Sequence, residues 1–107
     1  MDKRKDKIIS ILKEFRRKIS SRFPINKMFL FGSQAKGTTK KDSDIDLIIV
    51  SKNFENKKSF RRAPELYHIW EYPYNVDIIC LTPEEFELKK KYIGIIKEAS
   101  KEAIEIK

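Results

Sequence analysis

The sequence predicts an α/β domain in which helices flank a small mixed β-sheet. Three short apolar segments have the length and composition of buried strands, an amphipathic helical pattern precedes the first, and helical patterns follow the second and third. A short helical turn after the first strand completes the order α-β-α-β-α-β-α, without internal repeats. Because 107 residues make one ordinary domain, residues 1–107 are expected to fold as a single unit.

Residues 2–20 are predicted to form the first helix, which Pro24 closes. Apolar side chains recur at the i, i+3, i+4, i+7 spacing of one helix face, and Lys and Arg fill the other face. The apolar positions are Ile8, Ile11, Leu12, Phe15 and Ile19.

The predicted strands are 27–31, 44–50 and 76–81. All three are short for helices and rich in β-branched or aromatic residues. The middle segment is apolar enough to be a central strand buried on both faces, apart from the carboxylates at its start. Cys80, the single cysteine, lies in the third strand and is interpreted as a small buried hydrophobe.

Two further helices are predicted. Residues 57–71 can form a helix that Pro64 kinks or restarts. Thr82 as N-cap, Pro83 at the first position and Glu85 in a capping box then begin a last helix that runs toward Lys107. The side chains expected to point inward are Phe60, Leu66, Tyr67 and Trp70 in the former, and Phe86, Ile93, Ile96, Ala99 and Ala103 in the latter.

Acidic side chains interrupt the two strongest strands. Asp44 and Asp46 stand at i and i+2 of one strand and therefore share one face. Two carboxylates this close repel each other, and a divalent cation would relieve the repulsion. Oxygen ligands without His or Cys favour Mg²⁺, with Mn²⁺ possible. Asp77 begins the third strand in the same pattern, and if the two strands are neighbours, three carboxylates converge and suffice for two metal ions.

A glycine-containing turn follows the first strand. Gly32 and Ser33 at a helical start present backbone N–H groups and a hydroxyl to an anion such as phosphate. Lys36 adds a cation, and Gly37 keeps the turn tight. Gly-Ser alone and Asp-x-Asp alone are weak signals, because the first occurs in many loops and the second often caps a strand.

Together the two motifs carry a specific resemblance. Gly32-Ser33-Gln34-Ala35-Lys36-Gly37 is followed by Ser43-Asp44-Ile45-Asp46-Leu47, with the first Asp eleven residues after Ser33. This pattern resembles the DNA polymerase β-like nucleotidyltransferase superfamily, in particular its minimal nucleotidyltransferases, small proteins often paired with a helical HEPN-domain partner in toxin–antitoxin modules. Lys36 stands where that family commonly has Arg, which keeps the charge and loses the bidentate fork.

The resemblance implies a polymerase β-like nucleotidyltransferase fold and roles for six residues. Gly32, Ser33 and Lys36 would hold the nucleotide triphosphate. Asp44 and Asp46 would bind metal, and Asp77 would bind the catalytic metal and help to deprotonate the acceptor hydroxyl. The implied activity is Mg²⁺-dependent transfer of a nucleoside monophosphate, AMP from ATP in the simplest case.

The charge of the chain indicates possible binding partners, and its hydropathy indicates where the protein is expected to be located. Residues 1–22 carry nine basic and three acidic side chains of a chain whose formal net charge is +8, so the first helix could contact nucleic acid or an acidic partner. A solvated face explains that charge equally well. A second basic patch, Lys57, Lys58, Arg61 and Arg62, could also receive an anionic ligand. No apolar run is long enough to span a membrane, and no secretory signal is evident, so a cytoplasmic protein is expected.

The acceptor is expected to come from another molecule, because only one predicted helix follows the third strand. A HEPN-type protein whose side-chain hydroxyl is modified fits this need, with the present chain as antitoxin. The alternative is a non-catalytic antitoxin that binds its partner, and nucleotide, without transfer. Transfer to tRNA or to a small molecule is a weaker third interpretation. His68 and the aromatic residues Trp70, Tyr72 and Tyr74 are explained by packing.

Overall fold

A computed structural model gives the structure of residues 3–31, 45–92 and 103–107. Several predicted features lie outside these described residues: the turn at 32–37, Asp44, and the helix positions Ile93, Ile96 and Ala99. The helices and strands described below therefore belong to the remaining parts of the chain.

Three helices and four strands make up the regular structure of the described residues. They are helix α1 (Lys3–Ser20), strands β1 (Lys27–Phe31) and β2 (Ile45–Val50), helix α2 (Pro64–Ile69), strand β3 (Val76–Leu81), helix α3 (Pro83–Tyr92) and strand β4 (Ile104–Glu105), with short 3₁₀ turns at Lys52–Phe54 and Ser59–Arg61. None of the described helices is both long enough and apolar enough to cross a membrane.

The described strands form one mixed sheet in the order β3-β2-β1-β4. β2 pairs antiparallel with β1 and parallel with β3, and β4 pairs antiparallel with β1. A parallel neighbour requires a crossover connection, which the segment containing α2 supplies. The predicted fold class, a small mixed sheet flanked by helices, is confirmed.

The two faces of the sheet are covered unequally. α1 and α2 cover the first face. Of the stripe predicted on α1, Ile8, Leu12, Phe15 and Ile19 are fully inaccessible to solvent, and Ile11 is half-buried. α3 covers part of the second face through Phe86, which packs with Ile48, Val50 and Leu81. Every residue of β2 except Asp46 is buried, as expected for a central strand. The main core therefore lies between the first face and its two helices.

The helix predicted over 57–71 is present only from Pro64 onward, the point at which a kink or a restart was expected, and its first half is wrong. A 3₁₀ turn at Ser59–Arg61 precedes α2, which begins at Pro64, the residue that lacks the N–H an interior helical position needs. Leu66 is buried as predicted and Trp70 is half-buried, but Phe60 is 69% exposed and Tyr67 is 43% exposed. The segment before Pro64 follows the sheet instead of forming a helix.

Two side chains hold this segment against the outer edge of β3. The Arg62 guanidinium donates to the backbone carbonyls of Lys57 (3.0 Å) and Cys80 (3.2 Å). The backbone N–H of Ile78 donates to the Tyr67 hydroxyl at 2.9 Å. An edge strand otherwise presents such groups to any other strand, so these bonds block part of that edge. Tyr67 is exposed because it lies over the edge and not in the core.

The prediction that the last helix runs toward Lys107 is also wrong at its C-terminal end. Ile104–Glu105 is a strand that pairs with Phe29 and Leu30 of β1, and the Ile106 N–H donates to the Met28 carbonyl at 2.8 Å. Ala103 lies just before this strand and not on a helix face. Pairing satisfies the outer backbone groups of β1, and burial of Ile106 adds apolar contact, which together outweigh local helix propensity.

The start of α3 confirms the predicted capping box. The Glu85 N–H donates to the Thr82 hydroxyl at 3.1 Å, and the Thr82 N–H donates to Glu85 Oε1 at 2.8 Å. Arg62 Nη1 also reaches Glu85 Oε1, at 2.5 Å. This hydrogen bond from Arg62, more than any other contact, lowers the pKa of Glu85. Cys80 is buried, which confirms its interpretation as a small buried hydrophobe, and this burial raises the pKa of its thiol to about 12.

Glu85→Gln should lower stability at neutral pH, and the difference from wild type should vanish in acid. Gln keeps an acceptor for the Thr82 N–H and loses the charge that Arg62 binds. Because the folded-state pKa of Glu85 is lowered, its stabilisation is complete above the unfolded value of about 4.3 and is lost as pH falls through the folded value. Thermal unfolding between pH 7 and pH 2.5 measures this, with Glu84→Gln in the same turn as control. A difference that persists at the acid end would contradict the charge explanation.

Candidate active site

Two acidic side chains lie next to each other where β2 and β3 begin. Asp46 of β2 and Asp77 of β3 are direct partners in the parallel register, and Phe31 of β1 is the antiparallel partner of Asp46. Partners in register project from the same face of a sheet, with strands about 4.8 Å apart. Phe31, Asp46 and Asp77 therefore form one row across three strands on the second face, named here the acidic row.

Apart from Lys27, the rest of this face is apolar, and it is more buried toward its far end. The row after the acidic row is Phe29, Ile48 and Ile79, and the last is Lys27, Val50 and Leu81. Phe86 closes that far end, where its ring stacks on Phe29 with centroids 5.3 Å apart. By contrast, Asp46 is half-buried and Asp77 is exposed. The acids thus stand at the open end of an otherwise apolar face, where a ligand can reach them.

The segment before β3 is fixed by aromatic packing, so Asp77 has a defined position. The Trp70 ring packs edge-on against Phe15 of α1, with centroids 4.9 Å apart, and its indole N–H donates to the Tyr74 carbonyl at 2.8 Å. The next carbonyl, that of Asn75, accepts from the Ile45 N–H at 2.8 Å and starts the β2–β3 ladder. This confirms the interpretation of the aromatic residues as packing residues.

The chemistry of the acidic row suits a hard divalent cation. Adjacent carboxylates repel each other, and a cation between them removes that cost. Mg²⁺ commonly takes one or two protein carboxylates and completes its shell with substrate phosphates and water. Within the ranges 3–31, 45–92 and 103–107, no three His, Cys, Asp or Glu side chains converge as a metal site. The described residues provide two carboxylates, Asp46 and Asp77, at this position. Oxygen ligands of this kind fit Mg²⁺ better than Zn²⁺, which prefers His and Cys.

The structure brings together two of the six predicted site residues. The condition for convergence, that the second and third predicted strands are neighbours, is met by Asp46 and Asp77. Asp44, Gly32, Ser33 and Lys36 lie outside the described residues, so their roles remain predictions. The place of Phe31 in the acidic row was not predicted. Nothing in the sequence indicates which residue of β1 pairs with Asp46 in an antiparallel ladder.

The other candidates lie away from the acidic row. His68 is exposed on α2 and borders a shallow surface depression with Lys18, Arg22 and Glu71, which agrees with a surface role. Arg62 of the second basic patch is held by Glu85 and by backbone carbonyls, so it is a structural residue. The other three cations of that patch are exposed.

Neighbouring carboxylates are ligands that enzymes of phosphoryl transfer use to hold Mg²⁺, and the sequence comparison gives the family of this chain. Residues 12–106 match the family model described as the nucleotidyltransferase domain. The chain belongs to the nucleotidyltransferase domain family.

Two curated relatives and one solved structure show the same likeness. A Methanocaldococcus jannaschii protein named "Putative protein adenylyltransferase" is 34% identical over 86 residues, which cover 75% of this chain and 58% of the relative. A Haemophilus influenzae protein named "Probable protein adenylyltransferase" is 34% identical over 77 residues, covering 69% and 68%. A crystal structure from Sulfolobus solfataricus, described as a "putative nucleotidyltransferase", superposes with a TM-score of 0.66 at 28% identity and covers 78% of this chain and 75% of that one. The present chain thus spans little more than half the length of the first relative.

Asp77→Asn should leave the protein as stable as wild type, or slightly more stable, in buffer containing EDTA. The substitution removes one of two neighbouring negative charges and keeps the size of the side chain. Mg²⁺ should then raise the melting temperature of wild type more than that of the variant, because a ligand of the native state stabilises it by mass action. Glu87→Gln, a charge change on an exposed residue of α3, is the control. Marked destabilisation by Asp77→Asn in EDTA would mean that Asp77 has a structural role.

Proposed function

We propose that this nucleotidyltransferase moves AMP from ATP onto a hydroxyl of a partner protein in the presence of Mg²⁺. The observation that carries the proposal is the register pairing of Asp46 with Asp77 at the open end of the second face. Membership of the nucleotidyltransferase domain family supports the reaction type. The names of the two curated relatives support a protein as acceptor.

The proposed reaction divides the work among the predicted site residues. Mg²⁺ held by Asp46, with Asp44, would neutralise the triphosphate. Gly32, Ser33 and Lys36 would bind the phosphates. Asp77 would bind the metal that activates the acceptor hydroxyl and help to deprotonate that hydroxyl. As the acceptor oxygen bonds to the α-phosphorus, the bond from that phosphorus to the oxygen bridging to the β-phosphate breaks and pyrophosphate leaves.

The charge of α1 supports a macromolecular partner at the same end of the molecule. Arg22, just after α1, pairs with Glu65 at the start of α2 at 3.4 Å, whereas Phe15 packs on Trp70, just after α2. α1 and α2 are therefore antiparallel. Since the end of α2 leads into the start of β3, the N-terminal half of α1 points toward the end of the sheet that holds Asp77. A basic helix start there can attract an acidic protein surface toward the acids.

We propose that this partner is a HEPN-type helical protein, with the present chain as the antitoxin of the pair. The proposal rests on the resemblance to minimal nucleotidyltransferases. A cytoplasmic location follows from it. The protein encoded by the neighbouring gene is the acceptor to test first, with labelled NTPs and Mg²⁺. Label on that protein supports transfer, and inhibition of the partner without label would favour the non-catalytic antitoxin.

Asp77→Asn should separate nucleotide binding from transfer. If Asp44, Asp46 and the phosphates hold the nucleotide-associated metal, ATP·Mg²⁺ affinity should stay within a few-fold of wild type. Transfer should fall by orders of magnitude, because the missing interaction acts only in the transition state. Calorimetry of ATP·Mg²⁺ binding and label transfer to the neighbouring-gene protein are measured on the same samples. Asp46→Asn should lose both, and Glu87→Gln neither. Equal transfer by Asp77→Asn and wild type would remove Asp77 from the reaction.

Removing charge at the start of α1 should slow partner association. The double variant Lys3→Gln with Lys7→Gln should bind the neighbouring-gene protein more slowly, with a weaker dependence on salt, since rim charges chiefly set association rate. The rise in melting temperature with ATP·Mg²⁺ should stay near wild type. Lys13→Gln with Arg17→Gln removes equal charge further along the same helix and is the control. Loss of nucleotide binding with unchanged partner binding would instead place the helix start at the triphosphate.

A further inference from the structure

A basic pocket lies at the end of the molecule opposite the acidic row. Asn56, Lys57, Lys58 and Arg61 line a surface depression of about 550 Å³ in the loop between β2 and α2. This loop begins at Ser51, five residues along an extended strand from Asp46, which corresponds to roughly 16 Å. The basic pocket is therefore separate from the proposed site of transfer.

The three cations of the pocket converge, and no ion pair among the described residues neutralises them. Residues 51–62 contain five basic residues and one acid, Glu55. Arg62 is neutralised by Glu85. Lys57, Lys58 and Arg61, the three exposed cations of the pocket, occur in none of the described ion pairs. Like charges gathered in one depression repel, and an anionic ligand would remove that cost.

The loop that carries these cations is held in place by its own hydrogen bonds. The Lys57 N–H donates to the Phe54 carbonyl at 3.2 Å, and the Arg61 N–H donates to the Lys58 carbonyl at 2.9 Å. Phe54 is buried in the core, and Asn56 takes a left-handed backbone conformation with φ of 66°. A pre-ordered set of cations loses less conformational freedom when a ligand binds.

An aromatic ring stands open beside the cations. Phe60 is 69% exposed, the largest value among the exposed large apolar side chains of the described residues, and the Arg61 guanidinium lies 5.8 Å from its ring centroid. Such a ring contributes little to the core. Open aromatic rings among Lys and Arg are typical of surfaces that stack unpaired bases and contact the phosphates between them.

We propose that the basic pocket and Phe60 bind single-stranded nucleic acid. The Phe60 ring stacks on a base, while Lys57, Lys58 and Arg61 contact the phosphates. An acidic protein surface would satisfy the cations equally well but would leave the exposed ring without a matching flat partner. A strand bound here lies at the opposite end of the sheet from Asp46 and Asp77, so it does not occupy the acidic row.

Fluorescence anisotropy with labelled 12-nucleotide RNA and DNA of mixed sequence, over a series of salt concentrations, tests the proposal. Phe60→Leu keeps an apolar side chain and removes the ring, and we expect affinity to fall roughly five-fold to a hundred-fold with an unchanged salt slope. Lys57→Gln with Lys58→Gln should reduce the salt slope by about 1.4, or about 0.7 for each phosphate that is no longer neutralised. Lys13→Gln with Arg17→Gln on α1 removes the same charge and should have a much smaller effect.

Three results would overturn the proposal that this pocket binds single-stranded nucleic acid. Equal decreases in affinity for the α1 and pocket double variants, with no effect of Phe60→Leu, would mean diffuse attraction to a basic protein. An absence of binding to either oligonucleotide at low salt would remove the site. If Phe60→Leu instead abolished binding of the neighbouring-gene protein and left oligonucleotide binding intact, the pocket would be a protein-docking surface. Unfolding temperatures of all variants show whether the fold is retained.

Discussion

The parallel ladder between β2 and β3 is the constraint on which the candidate site depends. Its register sets Asp46 directly beside Asp77, and a shift by one residue would turn one carboxylate toward the apolar core. The ladder starts where the Asn75 carbonyl accepts from the Ile45 N–H, and the aromatic contacts of Trp70 hold that start in place. A packed cluster on the first face thus positions two charges on the second.

The ends of the sheet differ in charge because of the direction in which its strands run. Both parallel strands begin with an acid, so the acids collect at one end, and the connection after β2 collects Lys and Arg at the other. Arg62 fixes the basic loop in place, since its guanidinium binds the Lys57 carbonyl of that loop, the Cys80 carbonyl at the edge of β3 and Glu85 in the first turn of α3. On the second face Asp77 is exposed and Asp46 is half-buried, so a ligand can approach the acidic row from the side of Asp77.

Local patterns predicted those elements whose sequence and packing agree. The apolar stripe of α1, the three strands and the Thr82–Glu85 capping box are all present, and the pairing of Asp46 with Asp77 followed once the two strands proved to be neighbours. Contacts between residues far apart in the sequence determined the elements that local patterns did not predict. Ala103 and Ile104 continue a helical stripe as easily as they begin a strand, and only the free edge of β1 selects the strand. Phe60 and Tyr67 fit the inward stripe of a helix too, but Phe60 lies in the turn before Pro64, and Tyr67 reaches from α2 to the Ile78 N–H at the edge of β3.

The central claim is that Asp46 holds the metal-bound nucleotide and that Asp77, its partner in the ladder, faces the reacting phosphate. Crystals grown with Mn²⁺ and a non-hydrolysable ATP analogue, measured at the manganese absorption edge, test it directly. We expect anomalous density at coordination distance from the carboxylate oxygens of Asp46, with the triphosphate of the analogue against it and the Asp77 carboxylate on the side of the α-phosphate. Analogue bound with its Mn²⁺ away from both carboxylates would contradict the claim.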